Sequence, residues 1–352
     1  MNRASHALSS GAGAALAAAA LFGAGTPLAK LLLGRIDPWM LAALLYLGCG
    51  AGLAAWRALR RAAPVQLKAG ERKWLAAVIA CGGVAGPVLL MLGLSRMAAA
   101  PASLLLNAEA VFTALLAWFA FRENVNRRVA AGMAAIVAGA AWLVWPGQMD
   151  WPGWAPTLLV LGACLAWALD NNLTRKLSLN DASWIAMAKG LAAGSVNLLL
   201  ALLLGAQVPG AAVIAAAGVL GALSYGASLA LFVLALRSLG TARTGAYFSV
   251  APFFGALLSV VLLGDAVSPA LLGAGALMAL GVWLHLSEKH AHLHRHEPLA
   301  HDHEHVHGGD EHHEHAHVPP VPPGTRHAHP HVHAPLVHAH PHFPDAHHRH
   351  PH

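Results

Sequence analysis

The chain has 352 residues, of which 57% are hydrophobic and 11% are charged, and its formal net charge is +6 at pH 7. A typical soluble domain contains about 25% charged residues, so this composition excludes an ordinary soluble globular protein. The positive charge does not predict nucleic-acid binding, because the basic residues lie in short gaps between long apolar runs, an arrangement typical of membrane topology.

Ten apolar runs follow one another along the chain. A helix needs about 20 apolar residues to cross the hydrocarbon core of a lipid bilayer, and each run is close to that length. The first run is longer than the apolar stretch of about 7–15 residues in a cleaved signal peptide, so we expect a retained helix there. The sequence therefore predicts an all-α polytopic membrane protein. Its ten predicted transmembrane helices cover residues 11–33, 38–58, 74–96, 99–121, 128–146, 155–175, 184–204, 211–236, 243–264 and 268–287.

The positive charges between these runs predict the orientation of the chain. If the N-terminus is cytoplasmic, the cytoplasmic segments contain 14 Lys and Arg residues and the segments on the opposite side contain 3. Cytoplasmic loops of membrane proteins are enriched in these residues. Ten crossings return the chain to the side on which it started. We therefore expect a bacterial inner-membrane protein with both termini in the cytoplasm.

The apolar region contains an internal repeat. AEAVFTALL (108–116) aligns with VAPFFGALL (250–258) at an offset of 142, and LFGAGTPLAKLLLGRIDPW (21–39) aligns with AWALDNNLTRKLSLNDASW (166–184) at an offset of 145. Each half then has five crossings, and an odd number inverts the second half relative to the first. Inverted repeats around a central site are a design of secondary transporters. The predicted units are a first repeat at 1–147, a second repeat at 148–287 and a tail at 288–352.

Three stretches resemble the drug/metabolite transporter superfamily, specifically the ten-helix EamA type. They are LFGAGTPLAK, LNAEAVFTALLAWFAFRENVNRRVAAGMAAIVAG and FSVAPFFGALLSVVLLGDAVSPALLGAGALMALGV, with Glu123 and Asp265 where the family commonly has Glu. The resemblance covers about residues 11–287. It implies two EamA repeats, cytoplasmic termini and a central cavity for a small metabolite. Many members have an Arg in the second span, but this chain has Tyr46 thereabouts, so a role for that Arg is not carried over.

Glu109 lies near the middle of the fourth predicted span, close to Asn107. Ionisable groups within a membrane span are costly and commonly mark a transport pathway. One interpretation is a carboxyl group that exchanges protons or cations, or that binds an amine of the solute. The alternative is a protonated, hydrogen-bonded acid with a structural role.

Polar residues also occur in the second half. Asp170, Asn171 and Asn172 are consecutive, so helical geometry places them on different faces. Lys189 in the next span lies at a depth similar to that of Asp170, which predicts an ion pair at an inner gate or carboxylate site; a structural salt bridge or a snorkelling lysine is the alternative. Tyr225 and Tyr247 are further candidates to line a cavity, and packing explains them equally well. The candidate transport pathway is Asn107, Glu109, Asp170, Asn171, Asn172, Lys189, Tyr225 and Tyr247.

The tail at 288–352 contains 23 of the 25 histidines. It has no apolar run able to form a core, so its composition predicts disorder. Imidazole suits Zn, Ni, Co and Cu among divalent ions, and the interleaved acids offer further ligands. We expect this cytoplasmic tail to bind such ions. The candidate ligands are His301, His303, His305, His307, His312, His313, His315 and His317.

Three functions remain open at the level of sequence. The first is a secondary transporter that exports a small organic metabolite, coupled to protons, and carries a metal-binding tail. The second is a transporter of divalent Ni, Co, Zn or Cu whose tail buffers or senses the cargo, and the third is a membrane-anchored metal store or sensor. The sequence has no GxSxG, Walker or HExxH motif, so we expect neither an enzyme nor a required cofactor.

Overall fold

The structure is a computed structural model of the chain. It divides into two compact units, Met1–Glu288 and Lys289–His352. The first unit is helical, and the described segments of the second form strands. The residues that the structure describes are 3–65, 67–121, 127–145, 153–177, 180–239, 241–287, 291–296, 299–306, 326–333 and 336–341.

Fourteen α-helices form the described part of the first unit. They are α1 (Arg3–Leu33), α2 (Pro38–Leu59), α3 (Arg72–Val78), α4 (Gly86–Leu94), α5 (Ala99–Leu105), α6 (Ala108–Phe121), α7 (Arg127–Leu143), α8 (Trp154–Thr174), α9 (Ala182–Leu203), α10 (Ala211–Gly221), α11 (Ser228–Leu239), α12 (Thr241–Phe248), α13 (Ala251–Leu263) and α14 (Pro269–Leu286). Two π-helical segments, Ile79–Ala85 and Ala222–Ala227, join α3 to α4 and α10 to α11, and short 3-10 turns lie at Ala69–Glu71 and Arg175–Leu177.

Seven helices in the described residues are long and apolar enough to cross a membrane. Their bounds are Gly11–Leu33, Pro38–Leu59, Arg72–Leu94, Ala99–Phe119, Trp154–Thr174, Ala182–Leu203 and Ala211–Ala235. Each overlaps one of the ten predicted spans. The other three predicted spans are also helical but shorter: α7 has 17 residues, and the apolar helices Ala251–Leu263 and Pro269–Leu284 account for the last two. The all-helical, multi-pass prediction for this unit is confirmed, and the count of ten crossings stays a prediction.

The outer surface of this unit is strongly apolar. Large side chains on different helices are more than half exposed, including Leu158, Leu199, Val261 and Leu272. A contiguous apolar exterior is unusual for a soluble monomer but is required of a surface that contacts lipid. The interior is rich in alanine and glycine, which allow helices in a membrane to approach closely.

Helices from the two halves of the unit pack in pairs. α2 lies along α9, and α7 lies along α14. α8 packs on α4, on the first π-helical segment and on α6, while α1 packs on α11, on the second π-helical segment and on α13. If each of these helices is replaced by its counterpart in the other half, the same pairs of neighbouring helices result.

Irregular backbone recurs at matching places in the two halves. The π-helical segments at 79–85 and 222–227 lie in the third span of each half. The fourth span is interrupted at 106–107 between α5 and α6, and its counterpart is interrupted at 249–250 between α12 and α13. These separations are close to the offset of 142 between AEAVFTALL and VAPFFGALL. Asp37 and Asp181 likewise cap the N-termini of α2 and α9 with their carboxylates.

Side-chain contacts tie the helices together at both ends of the bundle. At one end, Lys30 Nζ donates to the carbonyl oxygens of Leu94 (2.7 Å) and Met97 (2.8 Å), and Asp265 Oδ2 accepts from the amide of Ala100 (2.7 Å). These bonds satisfy backbone groups that the termini of α4 and α5 leave unpaired. They connect the end of α1, the α4–α5 junction and the segment after α13.

At the other end, Arg57 joins α2 to α9. Its Nη1 donates to Asp181 Oδ2 (2.7 Å) and Ser183 Oγ (2.6 Å), and its Nη2 donates to the carbonyl of Ala63 (3.0 Å). Partial burial of Asp181 raises its pKa, but hydrogen bonds from Ser183 and Arg57 outweigh this effect and leave the pKa below its ordinary value. The ionised carboxylate of Asp181 is thus both a helix cap and a contact between helices.

The described segments of the second unit form two antiparallel ladders. Its strands are β1 (Ala291–His296), β2 (Leu299–Val306), β3 (Arg326–His333) and β4 (Leu336–Pro341). β1 pairs with β4, and β2 pairs with β3. Composition predicts disorder over 288–352, and disorder of the tail stays a prediction. The strands coincide with an alternation of histidine with other residues, and a period of two matches the pleat of a strand.

Candidate functional site

Glu109 lies where the fourth span is interrupted. The side chain of Asn107 donates from Nδ2 to the carbonyl of Leu104 (2.9 Å), a local bond that competes with helical pairing. α6 then starts at Ala108, and Glu109 is in its first turn. The N-terminal end of a helix favours a negative charge, so the interruption supplies a favourable electrostatic position for this carboxylate inside the bundle.

Asn171 of α8 is the hydrogen-bond partner of Glu109. Its Nδ2 donates to Glu109 Oε1 at 2.8 Å, across the α6–α8 interface. Glu109 is partly buried and Asn171 is exposed, so the pair is open on one side. Within the described part of the chain, the partner of this carboxylate is therefore a neutral amide, with no ion pair.

The predicted pair between Asp170 and Lys189 is present. Lys189 Nζ lies 2.6 Å from Asp170 Oδ2, and Thr174 Oγ1 donates to Asp170 Oδ1 at 3.1 Å. The Asp170 side chain is 6% exposed and that of Lys189 is 21% exposed, which makes this an internal ion pair and not a snorkelling lysine. A methyl group at Gly82 would collide with the Asp170 carboxylate, so this glycine provides the space for the pair.

The first π-helical segment passes directly beside this pair. The carbonyl oxygen of Gly82 accepts from Tyr46 Oη (2.7 Å) and from Trp167 Nε1 (3.0 Å), and that of Gly83 accepts from Asn197 Nδ2 (3.2 Å). π-helical turns are rare and are frequently found at functional sites. Tyr46, Trp167 and Asn197 are absent from the sequence-based candidates. The consecutive glycines of the third span were the available signal.

Asn107 and Asn172 bond away from the Glu109 carboxylate. Asn107 is buried, with a second contact from Nδ2 to Met278 Sδ at 3.8 Å. Asn172 is also buried and donates to the carbonyls of Ala168 (2.9 Å) and Thr113 (3.3 Å). The expectation that Asp170, Asn171 and Asn172 face different directions is confirmed. The structure brings together Glu109, Asn171, Asp170 and Lys189 from the candidate list.

The two candidate tyrosines occupy different surroundings. Tyr225 belongs to the second π-helical segment, and its ring centroid lies 5.9 Å from that of Tyr46 and 5.7 Å from that of Phe22. It therefore extends the site toward α1 and the second half. Tyr247 lies on α12 and is 38% exposed.

A small crevice lies next to the interruption of the fourth span. It is bounded by α1, α5 and α13, and Leu106 forms part of its wall. Thr26 and Ser103 are its hydroxyl groups, and the Ser103 hydroxyl is buried without a hydrogen-bond partner. The crevice thus offers a mainly apolar surface with one hydroxyl group that has no hydrogen-bond partner.

The candidate metal ligands divide between described and undescribed parts of the tail. His301, His303 and His305 lie on β2. His307, His312, His313, His315 and His317 lie outside the described residues, as does Glu123. In the helical unit, the described residues contain no group of three or more His, Cys, Asp or Glu that could hold a metal ion.

Comparisons with known proteins bear on the helical unit. Residues 9–145 match the family described as the EamA-like transporter family. A protein of Methanothermobacter thermautotrophicus described as an uncharacterized transporter is 28% identical over 288 residues, which are 76% of this chain and 84% of that protein. A crystal structure of a protein with 22% sequence identity superposes with a TM-score of 0.59, covering 77% of this chain and 97% of that chain. At that identity the likeness shows the fold alone.

The match at residues 9–145 and the transporter relative support a membrane transporter, and the long apolar helices indicate a multi-pass membrane protein.

Proposed function

We propose that the protein is a secondary active transporter that exports a small organic metabolite across the bacterial inner membrane by alternating access, coupled to protons at Glu109. The observation that carries this proposal is the Glu109–Asn171 contact at the interruption of the fourth span. It places a partly accessible carboxyl group deep inside an apolar bundle. Carboxyl groups in such positions are typical of proton and substrate pathways.

The charges around Glu109 favour its exchange between a protonated carboxyl group and a carboxylate that binds a cationic group of the solute. Asp170 and Lys189 neutralise each other at 2.6 Å, whereas Glu109 is bonded to an amide. A carboxylate without a cation is costly in the bilayer, so it either takes up a proton or binds a cationic group of the solute. Competition between the two at one carboxyl group couples the outward movement of solute to the inward movement of protons.

Two inverted five-helix repeats provide the moving parts. The recurrence of π-helical segments and interruptions in both halves supports this arrangement. The matching helix contacts of the two halves support it as well. Discontinuous helices near the bilayer midplane commonly form the binding sites of such transporters. Rocking of the halves must break contacts at one end of the bundle, and the bonds of Lys30 and Asp265 are the ones that close that end here.

Both termini are cytoplasmic in this proposal, because 14 of the 17 Lys and Arg residues between the spans would then lie on the cytoplasmic side. The tail consequently samples cytosolic metal ions. We propose that it binds divalent Zn, Ni, Co or Cu through its histidines.

The test is transport by the purified protein in liposomes. Vesicles with an imposed pH gradient are loaded with radiolabelled amino acids and small amines, and efflux is followed together with internal pH. We expect at least one solute whose efflux consumes the gradient, and we expect Glu109→Gln to reduce that efflux to the level of empty vesicles. Glu71→Gln is the matched control, because Glu71 lies in an exposed turn outside the bundle and bonds to the Lys68 amide.

Full gradient-driven efflux by the Glu109→Gln variant would overturn the assignment of Glu109. Nickel or zinc flux that depends on Glu109, with no organic solute moved, would instead favour a divalent-metal transporter.

A further inference from the structure

The pairing of β2 with β3 sets histidines opposite one another. In this register His301 faces His331, His303 faces His329, and His305 faces His327. Successive pairs are two residues apart, so all three belong to one face of the ladder. Asp302 and Glu304 fall on the other face, opposite Pro330 and Ala328.

The position of proline fixes the type of each pair. Pro330 has no backbone N–H, so the Asp302–Pro330 pair must be one of the non-hydrogen-bonded pairs of the ladder. The two types alternate, which makes the three histidine pairs hydrogen-bonded pairs with Cα atoms about 5.5 Å apart. Neighbouring pairs are about 7 Å apart along the strand. Six imidazole-bearing residues are thereby concentrated on one narrow face.

The second ladder repeats the arrangement. β1 and β4 place His292 opposite His340 and His294 opposite His338. Pro341 faces Ala291, again one position away from a histidine pair, so the same alternation of pair types holds. Facing histidines are therefore a property of both ladders.

An isolated two-stranded ladder is only marginally stable in water. β2 and β3 are also joined by a segment of 19 residues, 307–325, whose closure opposes pairing. Ions that prefer imidazole would offset both costs, because an ion shared by facing histidines binds the paired state more tightly than the open chain. The acids lie on the opposite face, so the ligands of this face are histidines.

We propose that the β2–β3 ladder is a row of divalent-metal sites formed by the facing pairs His301–His331, His303–His329 and His305–His327. It takes imidazole-preferring ions such as Ni²⁺ or Zn²⁺, and the ions hold the two strands in register. This rests on the proposed metal binding by the tail and adds to it the segment 326–333, the pairing of ligands and an ordered, metal-dependent structure.

A double-mutant cycle on the full-length protein tests the pairing. The number of Ni²⁺ ions bound per chain is measured by competition with a chromophoric chelator for His303→Ala, His329→Ala and the double variant. If the two residues share an ion, the double variant loses no more ions than a single variant. The control pair is His303→Ala with His338→Ala, in different ladders, for which the losses add.

A second measurement follows the strands themselves. Ala300 and Val332 face each other in a non-hydrogen-bonded pair, where Cα atoms about 4.5 Å apart allow a disulfide. In a background with the three native cysteines replaced by alanine, Ala300→Cys/Val332→Cys should cross-link faster with Ni²⁺ than with a chelator. Ala300→Cys/Ala339→Cys, which joins different ladders, should not respond.

The outcomes separate the proposals. Absence of Ni²⁺ binding by the whole chain overturns metal binding by the tail and with it the ladder. Binding with additive losses of ions in both cycles, or cross-linking of Ala300→Cys/Val332→Cys at a rate that does not change with Ni²⁺, overturns the ladder alone and leaves an unstructured chelator. Neither outcome bears on transport through Glu109, which is measured separately.

Discussion

The ion pair between Asp170 and Lys189 contributes to stability through the burial of its acid. Lys189→Met removes the cation and keeps an apolar stem, so Asp170, with 6% of its side chain exposed, loses its ionic partner. Removing one partner of a buried pair typically costs about 3–5 kcal/mol. We expect a corresponding fall in the midpoint of thermal unfolding of the purified protein in detergent.

The double variant Asp170→Asn/Lys189→Met is the control for this pair. It leaves no uncompensated charge, so we expect it to be more stable than Lys189→Met alone. A double variant whose destabilisation equals the sum of the two single variants would show that the residues do not interact, and would contradict the pair at 2.6 Å.

Individual side chains of the site were predictable to different degrees. The Asp170–Lys189 pair followed from two ionisable residues at similar depth in neighbouring spans, because each is costly without the other. Tyr46 and Trp167 could not be found this way, since both donate to the backbone carbonyl of Gly82, and a backbone acceptor is not revealed by pairing ionisable residues. Asn107 adjoins Glu109 in sequence but bonds to Leu104 and Met278.

The close contact between α2 and α9 depends on Gly190. A methyl group at Gly190 would meet the backbone of Gly50 and the carbonyl oxygen of Tyr46. Forcing extra atoms into a packed interface commonly costs about 1–3 kcal/mol. We expect Gly190→Ala to lower the midpoint of thermal unfolding in detergent and to reduce transport, because the shift reaches Tyr46 beside the site.

Gly218 of α10 is the matched control for this interface. A methyl group there would have no atom within 4 Å, and alanine is a better helix former than glycine by about 1 kcal/mol. Gly218→Ala should therefore be neutral or slightly stabilising. Equal destabilisation by both substitutions would mean that the clash at the α2–α9 contact does not explain the loss of stability.

Helix positions were more predictable than helix continuity. Apolar runs gave the spans to within a few residues, as for 38–58 against Pro38–Leu59, because length and hydropathy are set by the bilayer. The interruptions at 106–107 and 249–250 were not predicted, since both lie inside continuous apolar runs. Such breaks depend on local side-chain bonds, such as that of Asn107, which hydropathy does not register.

At the scale of the whole molecule, sequence similarity between the halves and structural recurrence point the same way. The offset of 142 comes from short apolar motifs, whereas the matching π-helical segments and helix neighbours come from packing. In the tail, by contrast, the composition and the spacing of residues point to different structures. Its composition lacks a core and predicts disorder, while the spacing of its histidines matches strand periodicity, and composition alone does not capture that spacing.

The proposed inversion of the repeats has a direct consequence for the loops. The segment between α2 and α3 and the segment at 204–210 between α9 and α10 join the same pair of helices in the two halves, so inverted repeats place them on opposite sides of the membrane. Gly70→Cys and Val208→Cys introduce exposed cysteines into these loops. In spheroplasts, a membrane-impermeant maleimide should label Val208→Cys, whereas Gly70→Cys and the tail variant Ala291→Cys should react only after lysis.

The unsubstituted protein gives the background from its own cysteines. Labelling of both loop variants from one side would contradict the inversion, and labelling of Ala291→Cys in intact spheroplasts would contradict a cytoplasmic tail.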